Sequence, residues 1–467
     1  MPSLTNRLAR RIAVAALLAG AAGCSDFLTG PGLTENPNAP IQAGAAQLIV
    51  STQISLFNQH EGQLARLASM FTQQLSGTNN QQADYGSRYT INEPDFNIFW
   101  NQNYTGGGLT DLRALQAQAR EASDARLLGI ALTMEALRFG TATSIWGDIP
   151  YSEATGQGTA PKLDPQQEVY AAVQARLDTA ITQLRTVPTG AAALPTDLVY
   201  NGNATRWIKA AYTLKARFHM HTAERLGAAA YTAAIAAANQ GIDEAPANAT
   251  QAIDGQAPGD FRSFRGSADN VDANLWGQFL GARTDMTANQ QFIELLQARN
   301  DPRLPRYFTT AAGGGYRGAN QFGANAAGAS VVAPTPRLVK DFRQPIVTWS
   351  ENQLILAEAK FQTGDVAGAR VNLNNVRRAV GLPELAAVTL ADIAAEKYVT
   401  MFQNIEAWND YKRTCFPRLT PGGANNTSAA EIPGRLIYPF SERNANPNIP
   451  APSDQPTRNW NDPNACA

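Results

Sequence analysis

Histidine and cysteine are scarce in this 467-residue chain, and their scarcity removes whole classes of chemistry. His60, His219 and His221 are its only imidazoles; Cys24, Cys415 and Cys466 are its only thiols. His219 and His221 stand two residues apart, so they cannot form the i,i+4 metal face of a zinc-protease helix, and no HExxH occurs. No GxxxxGK[ST] phosphate loop is present, and no Ser/His/Asp order stands out. No metal site and no cofactor is expected. Charge of one sign is lacking too. Lys and Arg number 38 against 39 Asp and Glu, which is no electrostatic footprint for nucleic acid. Beyond the first residues, no apolar run approaches the about 20 residues that a membrane-spanning helix needs.

What is present begins at the N-terminus. Arg7, Arg10 and Arg11 precede a short apolar run from Ile12, and small residues close it at Ala21, Ala22 and Gly23. That order predicts a secretory signal peptide over residues 1–23. The small residues lead directly into Cys24 and resemble the bacterial lipobox, in which the cysteine is lipidated and becomes the new N-terminus. Several acyl chains anchor a protein stably where one alone does not. Removal of residues 1–23 takes three arginines and no acids, leaving 35 basic against 39 acidic side chains and a net charge of −4. Residues 24–40 read as a lipidated tether, with the Gly-, Pro- and Asn-rich stretch from Thr29 leading to an N-cap signal at Asn38-Ala39-Pro40. In an oxidising compartment Cys415 and Cys466 can pair or remain free thiols; spacing alone does not decide.

The remaining chain reads as α-dominated. Apolar residues recur at helical spacing from Leu48 to Phe71, over Phe99–Ala122, Ala125–Ser144, Gln166–Arg185 and Asn203–Gly227, and again over Asn289–Ala298 and Ile393–Arg413. Two helices joined by Gly364-Asp365, the second stopped by Gly381, have the form of a tetratricopeptide unit. The polar segment Ser76–Asp95 reads as a loop carrying exposed Tyr85 and Tyr89. Residues 240–345 are rich in Gly, Ala, Asn and Gln with weak periodicity, and Ala311–Pro336 reads as an irregular excursion with short strands. Trp207 and Trp408, on apolar helical faces, are expected in the core.

Several segments together resemble the SusD/RagB family of outer-membrane nutrient-binding lipoproteins. They include Asn36-Pro37-Asn38-Ala39-Pro40, the run Trp146-Gly147-Asp148-Ile149-Pro150-Tyr151, and Asp197-Leu198-Val199-Tyr200-Asn201-Gly202-Asn203 before Trp207. Asn300-Asp301-Pro302-Arg303, Glu406-Ala407-Trp408-Asn409-Asp410 and Arg435-Leu436-Ile437-Tyr438-Pro439 follow in order. The late helix carries Gln403-Asn404-Ile405 where the commonest family form has Phe-Glu-Gly, which marks a divergent branch. The resemblance implies one SusD-like domain over residues 41–467, in which tetratricopeptide-like helix pairs form a scaffold and the insert at about 240–345 builds the ligand face. It implies a lipid-anchored protein on the exterior of the outer membrane. Its ligand would be an oligosaccharide or a peptide, delivered to a TonB-dependent, SusC-like outer-membrane channel.

Aromatic rings give rigid contact area at low entropy cost, so aromatics in polar surroundings are the candidate ligand contacts. These are Tyr85, Tyr89, Trp100, Tyr104, Trp276 and Tyr316, with Asn103 between the Trp100/Tyr104 pair. Carboxylates suggest structure more than catalysis. Asp148 is expected to cap a turn beside Gly147 and Pro150. Glu406, Asp410 and Arg413 share a helical face, which favours an i,i+3 ion pair over the paired acids of a glycosidase. Glu358 is expected to pair with Arg377 or Arg378. The rival readings are a protein-interaction scaffold holding a partner peptide in its helical groove, and a surface glycosidase using Asp148 or Glu406.

Overall fold

A computed structural model describes residues 43–466 apart from 157, 159, 267–272, 422–430 and 465. The signal-peptide segment, Cys24 and the tether therefore lie outside the described residues. By backbone contacts the chain divides into residues 1–47 and 48–467.

The principal helices run in the order α1 (Ala45–Glu61), α2 (Gln63–Phe71), α3 (Asn80–Ser87), α4 (Asn97–Tyr104), α5 (Leu109–Glu121), α6 (Ala125–Trp146), α7 (Gln166–Arg185), α8 (Ala204–His221) and α9 (Ala228–Ala238). After them come α10 (Leu275–Leu280), α11 (Gln290–Ala298), α12 (Trp349–Gln362), α13 (Val366–Val380), α14 (Leu390–Thr400), α15 (Glu406–Thr414) and α16 (Phe440–Ala445). Consecutive members of the series α5, α6, α7, α8, α9, α12 and α13 pack on one another. This is the expected scaffold of helix pairs. The turn between α12 and α13 is built as the sequence suggests: Asp365 accepts the Gly368 N–H at 2.8 Å as an N-cap, and Gly381 ends α13 in the left-handed region. No helix among the described residues is long and apolar enough to cross a membrane.

Three helical runs that read as continuous are broken, each for a local reason. The first breaks at Gly62, where a Cβ would lie 2.6 Å from the Asn58 carbonyl oxygen. Phe99–Ala122 divides into α4 and α5 at three glycines. Gly107 there has φ +86°, and a Cβ on it would meet Ser55 at 2.5 Å, so only glycine lets the turn lie against α1. Ile393–Arg413 divides into α14 and α15 around Gln403, whose φ is +62°. Gln74 holds that break from outside, donating to the Tyr398 carbonyl at 2.9 Å and accepting the Gln403 N–H at 3.3 Å.

The insert lies between α9 and α12. Two short antiparallel pairings tie it down: β1 (Leu75–Gly77) with β3 (Met286–Ala288), Leu75 opposite Ala288, and β2 (Phe261–Arg262) with β4 (Pro345–Val347). Ser76–Asp95 is not the predicted loop. It holds part of β1 and the helix α3, and Tyr85 and Tyr89 are buried. Cys415 and Cys466 form a disulfide with Cα atoms 5.1 Å apart, fastening the tail to the end of α15.

A buried charge cluster joins the scaffold helices. Arg217 of α8 donates to both Glu351 oxygens at 2.6 Å and to the Ile346 carbonyl at 2.6 Å. Glu406 of α15 lies 2.7 Å from His221 Nε2, whose Nδ1 is 3.0 Å from the Tyr170 hydroxyl of α7. Burial alone would raise the Glu406 carboxyl, but the charges of His221 and Arg217 and its hydrogen bonds hold it well below the carboxylate range. Trp207 and Trp408 are core residues, as expected.

Candidate functional site

The carboxylates offered as catalytic are committed to structure. Asp148 accepts the Gln166 N–H at 2.8 Å, capping the start of α7. Glu406 belongs to the Arg217 cluster. Asp410 pairs with Arg413 at 2.8 Å in the expected i,i+3 geometry and with Lys397 at 2.8 Å. Glu358 pairs with Arg413 and lies 3.9 Å from Lys397, not with Arg377 or Arg378, which turn instead to Glu396 and Glu384. Among the described residues no group of three or more His, Cys, Asp or Glu side chains could hold a metal ion.

The candidate aromatics divide sharply by burial. Tyr85, Tyr89, Trp100, Asn103 and Trp276 are all buried, so the reading of these five as ligand contacts is corrected. Trp100 packs edge-on against Trp146 and Tyr438, with centroids 5.4 and 5.6 Å away. Asn103 accepts from Gln59 Nε2 at 2.9 Å and donates to the Phe99 carbonyl at 3.1 Å. Tyr89 packs edge-on against Phe71 at 5.9 Å. Trp276 is wholly enclosed. Tyr104 and Tyr316 are partly exposed. Tyr316 lines neither of the clefts described next, and its carbonyl accepts from Gln297 at 3.3 Å.

Helix α4 nevertheless organises the surface. It turns Trp100 and Asn103, one helical step apart, into the core. Four of its other residues face two clefts. On one side Asn101, Tyr104 and Thr105 face Glu442 and Asn446 of the C-terminal segment across about 400 Å³. Burial, and then the Glu442 carboxylate, push the Tyr104 hydroxyl well above its ordinary value, so it remains a neutral donor. On the other side Phe99 and Gln102 face Arg66 of α2 and Gln278 and Phe279 of α10 across about 350 Å³. Both volumes suit a small ligand or a segment of a longer one.

The insert forms the far wall of this second cleft. Buried Glu61 at the end of α1 holds it there, pairing with Arg265 at 3.2 Å and accepting the Leu275 N–H at 3.3 Å. Asn274 caps α10 by accepting the Trp276 N–H at 3.0 Å. Trp276 then points inward while Phe279 lines the cleft. The Arg66 guanidinium lies 4.1 Å from the Phe279 ring centroid and that of Arg283 5.1 Å from it. Of the residues named from sequence, Tyr104 lines a cleft, whereas Phe99 and Phe279, the rings of the second cleft, were not among them. Ile98-Phe99-Trp100 is apolar throughout, so no polar contrast marks the inward side of so short a helix.

The SusD-like family described as starch-binding associating with outer membrane matches residues 37–372 and 367–439. The chain belongs to this family. No curated protein matches the chain. Among solved structures, a chitin-binding protein is 23% identical with a TM-score of 0.73, covering 90% of this chain and 100% of its own. A chitin-binding SusD homolog from Flavobacterium johnsoniae is 18% identical with a TM-score of 0.72, covering 90% and 97%. A SusD-like protein from Bacteroides thetaiotaomicron is 20% identical with a TM-score of 0.73, again covering 90% and 97%. At these identities the likeness is one of fold, and it fixes the architecture as SusD-like.

Proposed function

We propose that this protein is a surface lipoprotein, anchored through Cys24, that captures an oligosaccharide and passes it to a TonB-dependent, SusC-like outer-membrane channel. Membership of a family described as starch-binding and outer-membrane-associated carries the reading. The two α4 clefts support it. Each sets a partly buried ring, Tyr104 or Phe99, among amide and charged side chains, which is how a protein meets both the apolar face and the hydroxyls of a sugar. The act is binding without chemistry, since Asp148, Glu406 and Asp410 are engaged by a backbone amide or by ion pairs.

The test is a gentle detergent pull-down of the Cys24-anchored protein from its native membrane, with binding of defined oligosaccharides measured on the product. Co-purification of a large β-barrel and saturable saccharide binding are expected. A protein that emerges alone and binds no saccharide overturns the reading. Glycosidic turnover lost in Glu406→Gln would replace it with an enzyme.

A further inference from the structure

The Arg66 cleft places two cations on one open surface. Some buried guanidinium groups meet carboxylates: Arg217 with Glu351, Arg303 with Asp301 and Glu396, Arg413 with Glu358. Others, Arg138, Arg337 and Arg435, meet none among the described residues but are enclosed and donate to carbonyl oxygens of the chain. Arg66 meets no carboxylate within 4 Å among the described residues. Its Nε and Nη2 both donate to the neutral Gln63 Oε1, at 3.1 and 3.0 Å, and its Nη1 donates to no described residue. The charge that acts on it is a second cation, Arg283. Burial, and then Arg283, lower the Arg66 guanidinium to about 10, so it stays charged but uncompensated. Arg283 is more than half exposed, and its one carboxylate contact is Asp285 at 3.5 Å. Asp285 itself is shared with Asn80 Nδ2 at 2.8 Å.

Phe279 explains why two like charges are held together. Both guanidinium groups lie over or beside its ring, and cation–π attraction offsets part of their repulsion. The same cleft offers Phe99 as a flat apolar platform, with Gln102 and Asn58 as neutral hydrogen-bonding groups. A guanidinium fork matches the planar, two-oxygen geometry of a carboxylate better than any neutral hydroxyl pair.

We propose that this cleft selects acidic saccharides, with Arg66 and Arg283 receiving the carboxylate of a uronic-acid residue while Phe99 takes the face of the sugar ring. The proposal rests on the saccharide-capture reading and narrows it from neutral glucans or chitin to uronate-bearing chains.

The test is calorimetric titration of the purified full-length lipoprotein in detergent with three probes: galacturonate oligosaccharides, neutral malto- and chito-oligosaccharides of equal length, and a short polyglutamate peptide. The uronate probe is expected to bind at least about tenfold more tightly than the neutral ones, the equivalent of one or more charge-assisted hydrogen bonds. That advantage is expected to shrink as salt rises from roughly 0.05 to 0.5 M. Arg66→Gln and Arg283→Gln are each expected to remove about tenfold of uronate affinity and so to narrow the gap between the uronate and the neutral probes. Because the Arg283 side chain is more than half exposed, its substitution reports on binding even if Arg66→Gln does not fold. Neutral oligosaccharides binding as tightly as uronates, or uronate affinity unmoved in Arg283→Gln, overturns the proposal while the capture reading stands. Polyglutamate binding more tightly than uronate also overturns it. Binding of no saccharide at all sinks both.

Discussion

Arg217 and Arg66 carry the same guanidinium into opposite surroundings. Arg217 lies in the scaffold, enclosed, with Glu351 on one side and Glu406 3.8 Å away on the other. Arg66 lies where the insert meets α2, facing a cleft, with an amide and a second arginine for company. In the first region the hydrogen-bond partners are all groups of the chain itself. In the second a cation is left for something outside the chain. Arg217 is neutralised within the chain, and Arg66 is not.

The sharpest way to break this contrast is to remove the scaffold cation. Arg217→Met leaves Glu351 and Glu406 enclosed without it and is expected to cost about 3–5 kcal/mol in denaturant unfolding. Adding Glu351→Leu to it should recover part of that loss. The rings give a parallel comparison. Trp100→Ala and Trp276→Ala are expected to destabilise by about 3–5 kcal/mol, whereas Phe99→Ala, on the cleft wall, should lower saccharide affinity with a smaller change in the unfolding midpoint. Cys415→Ser opens the bridge between residues 51 apart and is expected to cost about 2–4 kcal/mol, measured against the oxidised protein.

A subtler difference is in pH. Burial, and then the nearby Arg217 cation, lower the His60 imidazole from its ordinary 6.5 to about 3. The unfolded chain takes up that proton first as acid is added. The stability His60 contributes is therefore full above pH 6.5 and lost as pH falls from 6.5 toward 3, by up to about 1.4 kcal/mol per pH unit. His60→Gln should flatten that slope without abolishing it, because His219 is lowered to about 4, by burial first and then by Lys215. An unfolding midpoint in the variant with the same dependence on pH would remove His60 from the account. Arg283→Gln, at the cleft rim, is expected to change stability by less than about 0.5 kcal/mol.

These contrasts also explain what could be read from sequence. The long helices α7 and α8 announce themselves because each buries one side, and that writes a period into its residues, whereas α6 is enclosed all round from Leu127 to Trp146 and is marked by its length of mostly apolar residues. The break at Gln403 left no such trace. It depends on Gln74, more than 300 residues earlier, which reaches in to satisfy the backbone. The cleft was hidden for a similar reason. Nothing in the neighbourhood of Arg66 distinguishes it from a solvated arginine until α10 brings Phe279 over it. The disulfide was open from spacing alone, because only the folded tail brings Cys466 to Cys415.

The pairing of β1 with β3 carries one more consequence, for the order in which the molecule is made. Ser76 lies opposite Thr287, so β1 remains an unpaired edge until about 210 further residues have been synthesised. The carbonyl of Tyr398 that Gln74 reaches emerges later still. Contacts of such sequence separation must close a long loop before they return any stability, which makes them slow to form. The segment that begins the described chain, and the Arg66 cleft built on it, are thus completed late in folding, after the local helix pairs that follow them.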